Sequence, residues 1–168
     1  MSGVKWLDEA MKLIGIHEGV GDKDNPIVVK LFAAAGHPEI VHDSTAWCAA
    51  FVGAMLARAG LKGTGSLWAL DYAKWGVALF APCVGAIATK KRYDKRGKLI
   101  GGHVFFVAGF DERYVYGLGG NQSDSVSISR YPLSVVTAFR WPYGSTVAPK
   151  SGLKKDGVTS ASAAGSEA

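Results

Sequence analysis

The sequence predicts an α+β fold, and three observations carry that prediction. Apolar residues recur at spacings of three and four through the first half of the chain. After Pro82 the period changes to extended alternation. The later apolar runs then follow one another through turn signals, with no helical stretch between them. Helices first and an antiparallel meander afterwards is the order of an α+β domain. With 168 residues, 48% hydrophobic and 20% charged, the chain is long enough to bury one core without staples. We expect one domain over residues 1–146. Residues 147–168, rich in Gly, Ser, Ala and Lys and without a period, read as a disordered tail.

In the first helix, from residue 3 to about 14, Val4, Leu7, Met11 and Ile14 form the apolar stripe and Gly15 stops it. The loop Gly19–Pro26 contains an Asp-x-Asp pair. A calcium loop would place a glutamate where Ala33 stands, so no metal is expected there. A second helix starts with Pro26 in its first turn and runs through Ile27, Lys30, Leu31 and Ala34 to Gly36. Residues 37–46 form an exposed connection. A third helix follows from Cys48, with Phe51, Val52, Met55, Leu56 and Ala59 on its stripe and Gly60 as its C-cap. Ser66 caps a short helix over Leu67 to Trp75, whose Trp68, Tyr72 and Trp75 share a face and read as core.

The strands are Gly85–Thr89, Gly101–Gly109, Arg113–Leu118, Val126–Tyr131 and, at an edge, Val136–Trp141. Asp111-Glu112 turns the second of these into the third as a hairpin. If that turn is a three-residue loop, Phe110 pairs with Tyr114 and Asn121 falls opposite His103; a two-residue loop puts Gly120 there instead.

Charge is concentrated in one place. Lys90 to Lys98 (KKRYDKRGK) holds six of the 19 basic residues and one of the 14 acids, leaving the remainder balanced at 13 and 13. Such a run reads first as a solvated loop between strands and second as a surface for a polyanion. Only Tyr93 is at hand for stacking on bases, so an anionic cell wall ranks above nucleic acid. No apolar run approaches the ~20 residues of a membrane span, and the first ten residues carry acids where a signal peptide has an unbroken apolar core. The expectation is a protein made in the cytoplasm, soluble, and delivered by something else if its target lies outside.

Cys48 is the candidate for chemistry. A thiol on the first turn of a helix meets the positive end of the dipole and backbone N–H groups without intrahelical partners, which favours the thiolate and supplies donors for an oxyanion. An isolated cysteine on an apolar stripe is ordinarily packing, so a nucleophile needs a base. His17 ends the first helix, and His37 and His42 lie in the exposed connection. His103 differs: two glycines precede it and it begins an apolar strand, where an imidazole can be held rigidly. Cys48, His103 and Asn121 then form the set in which a base activates a thiol and an amide orients the base. Cys48 and Cys83, 35 positions apart, match no metal or disulfide spacing and read as reduced thiols.

Trp47-Cys48-Ala49-Ala50-Phe51-Val52, Gly102-His103-Val104 and Gly119-Gly120-Asn121-Gln122-Ser123, in this order, resemble a bacterial and phage family of cell-wall hydrolases. It belongs to the papain-like CHAP and NlpC-type superfamily of cysteine amidases and peptidases. The resemblance extends from the first helix to about Tyr143 and includes Gly63-Thr64-Gly65-Ser66 and Ser129-Arg130-Tyr131-Pro132. It implies a papain-like fold, no cofactor and no metal, and hydrolysis of an amide bond in peptidoglycan, in the stem peptide or at its link to sugar. Cys48 matches the nucleophile, His103 the base and Asn121 the orienting residue. Trp47 and Asp43 flank the nucleophile as substrate-binding candidates, and Gln122 joins them from the facing loop.

The partners implied are peptidoglycan and either a holin-type delivery partner or an immunity protein, with no nucleic acid and no membrane insertion. The chain is expected to act as a monomer on the wall, in the periplasm, after release or injection. Ala46 departs from the proline or glycine common before the Trp-Cys pair, and Cys83 adds a second thiol. Two other readings stand beside the hydrolase: a catalytically silent wall-binding module using the basic run, and a cysteine acyltransferase or deamidase acting on proteins.

Overall fold

A computed structural model describes residues 1–150 and the two-residue strand Ser162–Ala163; the rest of the expected tail lies outside the described residues. Three helices come first: α1 (Lys5–Met11), α2 (Pro26–Ala34) and α3 (Cys48–Arg58). A 3-10 turn at Ala69–Lys74 leads to strands β1 (Val77–Leu79), β2 (Ile87–Tyr93), β3 (Leu99–Phe110), β4 (Tyr114–Gly119), β5 (Ser127–Pro132), β6 (Val136–Trp141) and β7 (Ser162–Ala163). They form one sheet in the order β1-β6-β2-β3-β4-β5-β7, antiparallel throughout except for β7, which lies parallel to β5. The architecture is α+β, as the periodicity requires. Among the described residues no helix is long and apolar enough to cross a membrane.

The centre of the molecule is α3, in which every residue from Cys48 to Leu56 is buried. It packs on α1, α2 and the central strand β3, so its apolar surface extends all round instead of forming one stripe. Gly53 lies at the close crossing with α2, where a Cβ would stand 3.1 Å from the Ala35 Cβ and fit only if Ala35 moved a few tenths of an ångström. On the sheet side Phe51 meets Phe106 edge to face, with ring centroids 6.0 Å apart. Helix α2 begins where its capping residues place it. Asn25 accepts the Ile27 N–H through its side chain at 2.9 Å, and Pro26 occupies the first turn.

Several boundaries differ from the sequence reading, each for a local reason. Helix α1 stops at Met11, and its buried residues are Trp6, Leu7 and Ala10, while Met11 and Ile14 are exposed. The stretch before β1 coils as a 3-10 turn, whose period of three keeps Tyr72 and Trp75 together, their rings edge to face with centroids 5.3 Å apart, and leaves Trp68 off that face. Tyr72 is buried, Trp75 half-buried and Trp68 exposed. Strand β6 is not an edge, because β1 pairs along its outer side. The basic run is partly strand: β2 continues through Tyr93 and β3 starts at Leu99, leaving residues 94–98 as the turn. Asp94 Oδ1 closes that turn by accepting the N–H groups of Arg96 at 2.8 Å and Lys98 at 2.9 Å. At the other end, Trp141 Nε1 donates to Val147 O at 2.9 Å and the Cys83 thiol to Lys150 O at 3.3 Å. Val147 and Lys150 are thus tied to the sheet side of the molecule.

Candidate functional site

Cys48 is the first residue of α3, and Trp47 is its N-cap. The first rung of the helical ladder is the Phe51 N–H to the Trp47 carbonyl, 2.9 Å, so the amides of the opening turn precede the intrahelical bonds. This is the expected placement of the thiol at a helix start. The Tyr72 phenol lies within its electrostatic reach: burial pushes the Tyr72 pKa up, and negative charge on Cys48 pushes it further. The second thiol, Cys83, is buried and in no disulfide, and burial pushes its pKa up.

His103 does not begin its strand. It sits inside β3, cross-strand from Lys90 of β2, because β3 starts at Leu99, two residues before the expected Gly101, and both glycines lie within it. Its ring is buried between Phe105, whose ring lies 5.7 Å away at 30°, and Tyr131 at 5.9 Å. Alternation along β3 puts His103 and Phe105 on one face and Val104 and Phe106, the neighbour of Phe51, on the other.

The amide that holds this ring belongs to Gln122, with His103 Nε2 and Gln122 Oε1 2.9 Å apart. The amide orientation follows from its other partners. Gln122 Nε2 donates to the Ser127 carbonyl at 2.7 Å and the Gly117 carbonyl at 3.2 Å, and also lies 3.3 Å from Ser129 Oγ. Its Oε1 also accepts the Tyr131 O–H at 2.9 Å. Since Oε1 has only lone pairs to offer, the His103 Nε2 carries a proton, and in the neutral ring Nδ1 is the nitrogen with the lone pair.

Asn121 therefore does not orient His103, although the pairing that pointed to it is nearly met. The hairpin closes with Phe110 opposite Val115, and a bulge at Ala108 then shifts the register so that Val107 faces Gly117 and Phe106 faces Leu118. Continued, that register would place Asn121 across from His103. Strand β4 ends at Gly119, however, and at Asn121 the chain turns into the left-handed region with φ 59°. Asn121 is buried, and neither atom of its amide has a hydrogen-bond partner among the described residues. The next residue supplies the amide instead.

Two glycines let this turn lie against both halves of the candidate site. A Cβ on Gly120 would stand 2.7 Å from the Trp47 ring and the Phe51 Cβ, and one on Gly119 would stand 2.6 Å from Gln122 Oε1. The segment Gly119–Gln122 thus touches the residue before Cys48 and bonds to His103 within four positions.

The three substrate-binding candidates prove to be interior residues. The indole of Trp47 is fully buried, and its Nε1 donates to Glu18 Oε1 at 2.6 Å. Asp43 is buried as well. Its Oδ2 accepts the N–H groups of Gly19 at 2.6 Å and Asn25 at 2.7 Å, and its own N–H donates to Asp24 Oδ1 at 2.9 Å. It is a clasp across the loop before α2, which is why it does not face solvent. Gln122 is buried as the partner of His103. Residues that sequence reasoning missed are Glu18, Ser129 and Tyr131 as a hydrogen-bonding partner. Tyr131 lies in a stretch that carried the resemblance, whereas nothing in the pattern around Glu18 marks it.

No family model, no curated protein and no solved structure matches this chain.

Proposed function

We propose that the protein is a cysteine-dependent peptidoglycan hydrolase of papain-like type, with Cys48 as nucleophile, His103 as base and Gln122 as the residue that orients the base. The observation that supports it most is the Gln122 amide, which commits His103 to the tautomer with a basic Nδ1 and belongs to the turn packed on Trp47. In this reading Nδ1 takes the Cys48 proton and the thiolate adds to an amide carbonyl. N–H groups of the first turn of α3 stabilise the oxyanion. As the intermediate collapses, the C–N bond breaks, the amine leaves with the proton from His103, and a thioester remains. Water, deprotonated by the same imidazole, hydrolyses that thioester to a carboxylate and returns the thiol.

The substrate is an amide of the murein stem peptide or of its link to sugar, and the chain acts on the wall after release or injection. The test is turnover of purified peptidoglycan by the parent and by Cys48→Ala, with mass spectrometry of the released muropeptides to locate the cut. The proposal requires that Cys48→Ala abolish release. Unchanged clearing by that variant contradicts the nucleophile. Inert murein alongside deamidation or acyl transfer on a protein substrate contradicts the substrate class.

A further inference from the structure

The net positive charge of the chain resides in one structural device, the tip of the β2–β3 hairpin, and that tip is also apolar. Lys91, Lys95, Arg96 and Lys98 are exposed there, while the one acid of the run, Asp94, has a carboxylate oxygen engaged by backbone N–H groups of its own turn. Between the cations stand Tyr93, Leu99 and Ile100, which are 57%, 43% and 51% exposed. Tyr93 pairs directly with Leu99, whereas Arg92 pairs with Gly101, so Ile100 is the extra residue of a β-bulge. That insertion leaves two adjacent aliphatic side chains in solvent at an edge that bulges normally serve to re-aim. Trp68, itself 50% exposed, continues the apolar surface at the base of the hairpin, with its ring 3.8 Å from where a Gly101 Cβ would be.

We infer that this tip docks peripherally on a bilayer bearing anionic phospholipid, with the four cations at the phosphates and Tyr93, Leu99, Ile100 and Trp68 at the boundary of the acyl chains. The mixture of chemistries selects this occupant. A hydrated polyanion, whether wall polymer or nucleic acid, uses cations but offers Leu99 and Ile100 nothing they lack in water. The interface of an anionic bilayer takes both, because lysine and arginine hold the phosphates while aromatic and aliphatic groups leave water beside them. The inference does not depend on the catalytic reading, since none of these residues belongs to the Cys48–His103–Gln122 set.

The experiment is sedimentation of the full chain with vesicles of phosphatidylcholine alone and of phosphatidylcholine with phosphatidylglycerol, with purified murein and duplex DNA in parallel. Binding is expected to the vesicles containing phosphatidylglycerol and not to the neutral vesicles or the DNA, while sedimentation with murein, the proposed substrate, should be the same for the parent and the hairpin variants. Lys95→Glu/Arg96→Glu/Lys98→Glu should weaken it at least about 100-fold, at about fivefold for each cation. Leu99→Ser/Ile100→Ser, which leaves the charge unchanged, should weaken it by about tenfold or more, and both variants should keep the circular dichroism and the turnover of the parent. No binding to the anionic vesicles, or equal binding to the neutral ones, overturns the inference. So does a vesicle affinity that the charge variant abolishes and the Leu99/Ile100 variant leaves intact, because the site would then recognise polyanions alone.

Discussion

Gln122 Oε1 lies 2.9 Å from His103 Nε2 and accepts its hydrogen bond, while the same oxygen accepts a second from the Tyr131 hydroxyl at 2.9 Å. Its amide nitrogen is tied to the carbonyls of Ser127 and Gly117, so the amide cannot turn over without losing bonds on both sides. The tautomer of the imidazole is thus set from outside the ring. A residue that fixes a tautomer does so without touching substrate, and its removal acts on turnover more than on binding. Gln122→Leu should lower kcat by about 10³ to 10⁴-fold, by analogy with the loss of an orienting group in a catalytic triad, with KM close to that of the parent. Asn121→Ala should leave turnover near the parent's. Steady-state kinetics on a soluble muropeptide compares the two, and a larger loss in the Asn121 variant contradicts the assignment.

The strain at Asn121 should be visible in stability. A non-glycine residue at φ 59° with both amide atoms buried and unpartnered is unfavourable twice over. Asn121→Gly relieves both terms and should raise the unfolding free energy by about 1 kcal/mol. Urea denaturation followed by tryptophan fluorescence measures it. A destabilised variant means that the amide makes bonds that outweigh the strain.

Asp43 separates a structural role from a binding one. Its carboxylate accepts two backbone N–H groups that have no other partner in the loop before α2. Asp43→Ala should destabilise the fold by about 3 kcal/mol and speed hydrogen exchange at Gly19 and Asn25. Unchanged stability with a raised KM would instead return Asp43 to the substrate cleft.

Glu18 predicts a pH dependence. Burial pushes its carboxyl above the ordinary value of 4.5, and the hydrogen bond from Trp47 only partly counters that. A raised pKa in the fold means that the folded chain binds the proton more tightly than the unfolded one. The unfavourable contribution is then absent below 4.5 and grows as the pH rises through the raised pKa. Glu18→Gln keeps an acceptor for Trp47 and removes the charge. The variant should be more stable than the parent at neutral pH, and the difference should vanish in acid. Thermal melts at a series of pH values give it directly, and a difference that widens toward low pH contradicts the account.

The parts of this molecule legible in its sequence are those set by periodicity close at hand. The helix that opens at Cys48 follows from Phe51, Val52, Met55 and Leu56, and its start follows from the polar turn before it. What was not legible depends on register at a distance. Whether position 121 or 122 reaches His103 is decided by the bulge at Ala108 and by how the chain turns after β4; the glycines mark where that strand stops, but nothing in residue type marks the bulge or which residue then turns inward. The basic run reads as a loop when its charges are taken alone. Its strands are drawn out by pairing that begins at the buried Ile87, Ala88 and Thr89, and cross-strand pairing outweighs the local preference of lysine. Trp47 and Asp43 read as exposed because a helix start usually is, whereas here Glu18 and the loop before α2 fold over it.

The central claim is that the Cys48 thiol and the His103 imidazole act as one unit, held by Gln122. The rate of Cys48 alkylation by iodoacetamide as a function of pH tests this most directly, with Cys48→Ala subtracting any reaction at Cys83. The account predicts that the profile of the parent lies at lower pH than that of an ordinary thiol. It should move to higher pH in His103→Ala, with Gln122→Leu between the two. Superimposable profiles for the parent and His103→Ala would contradict it.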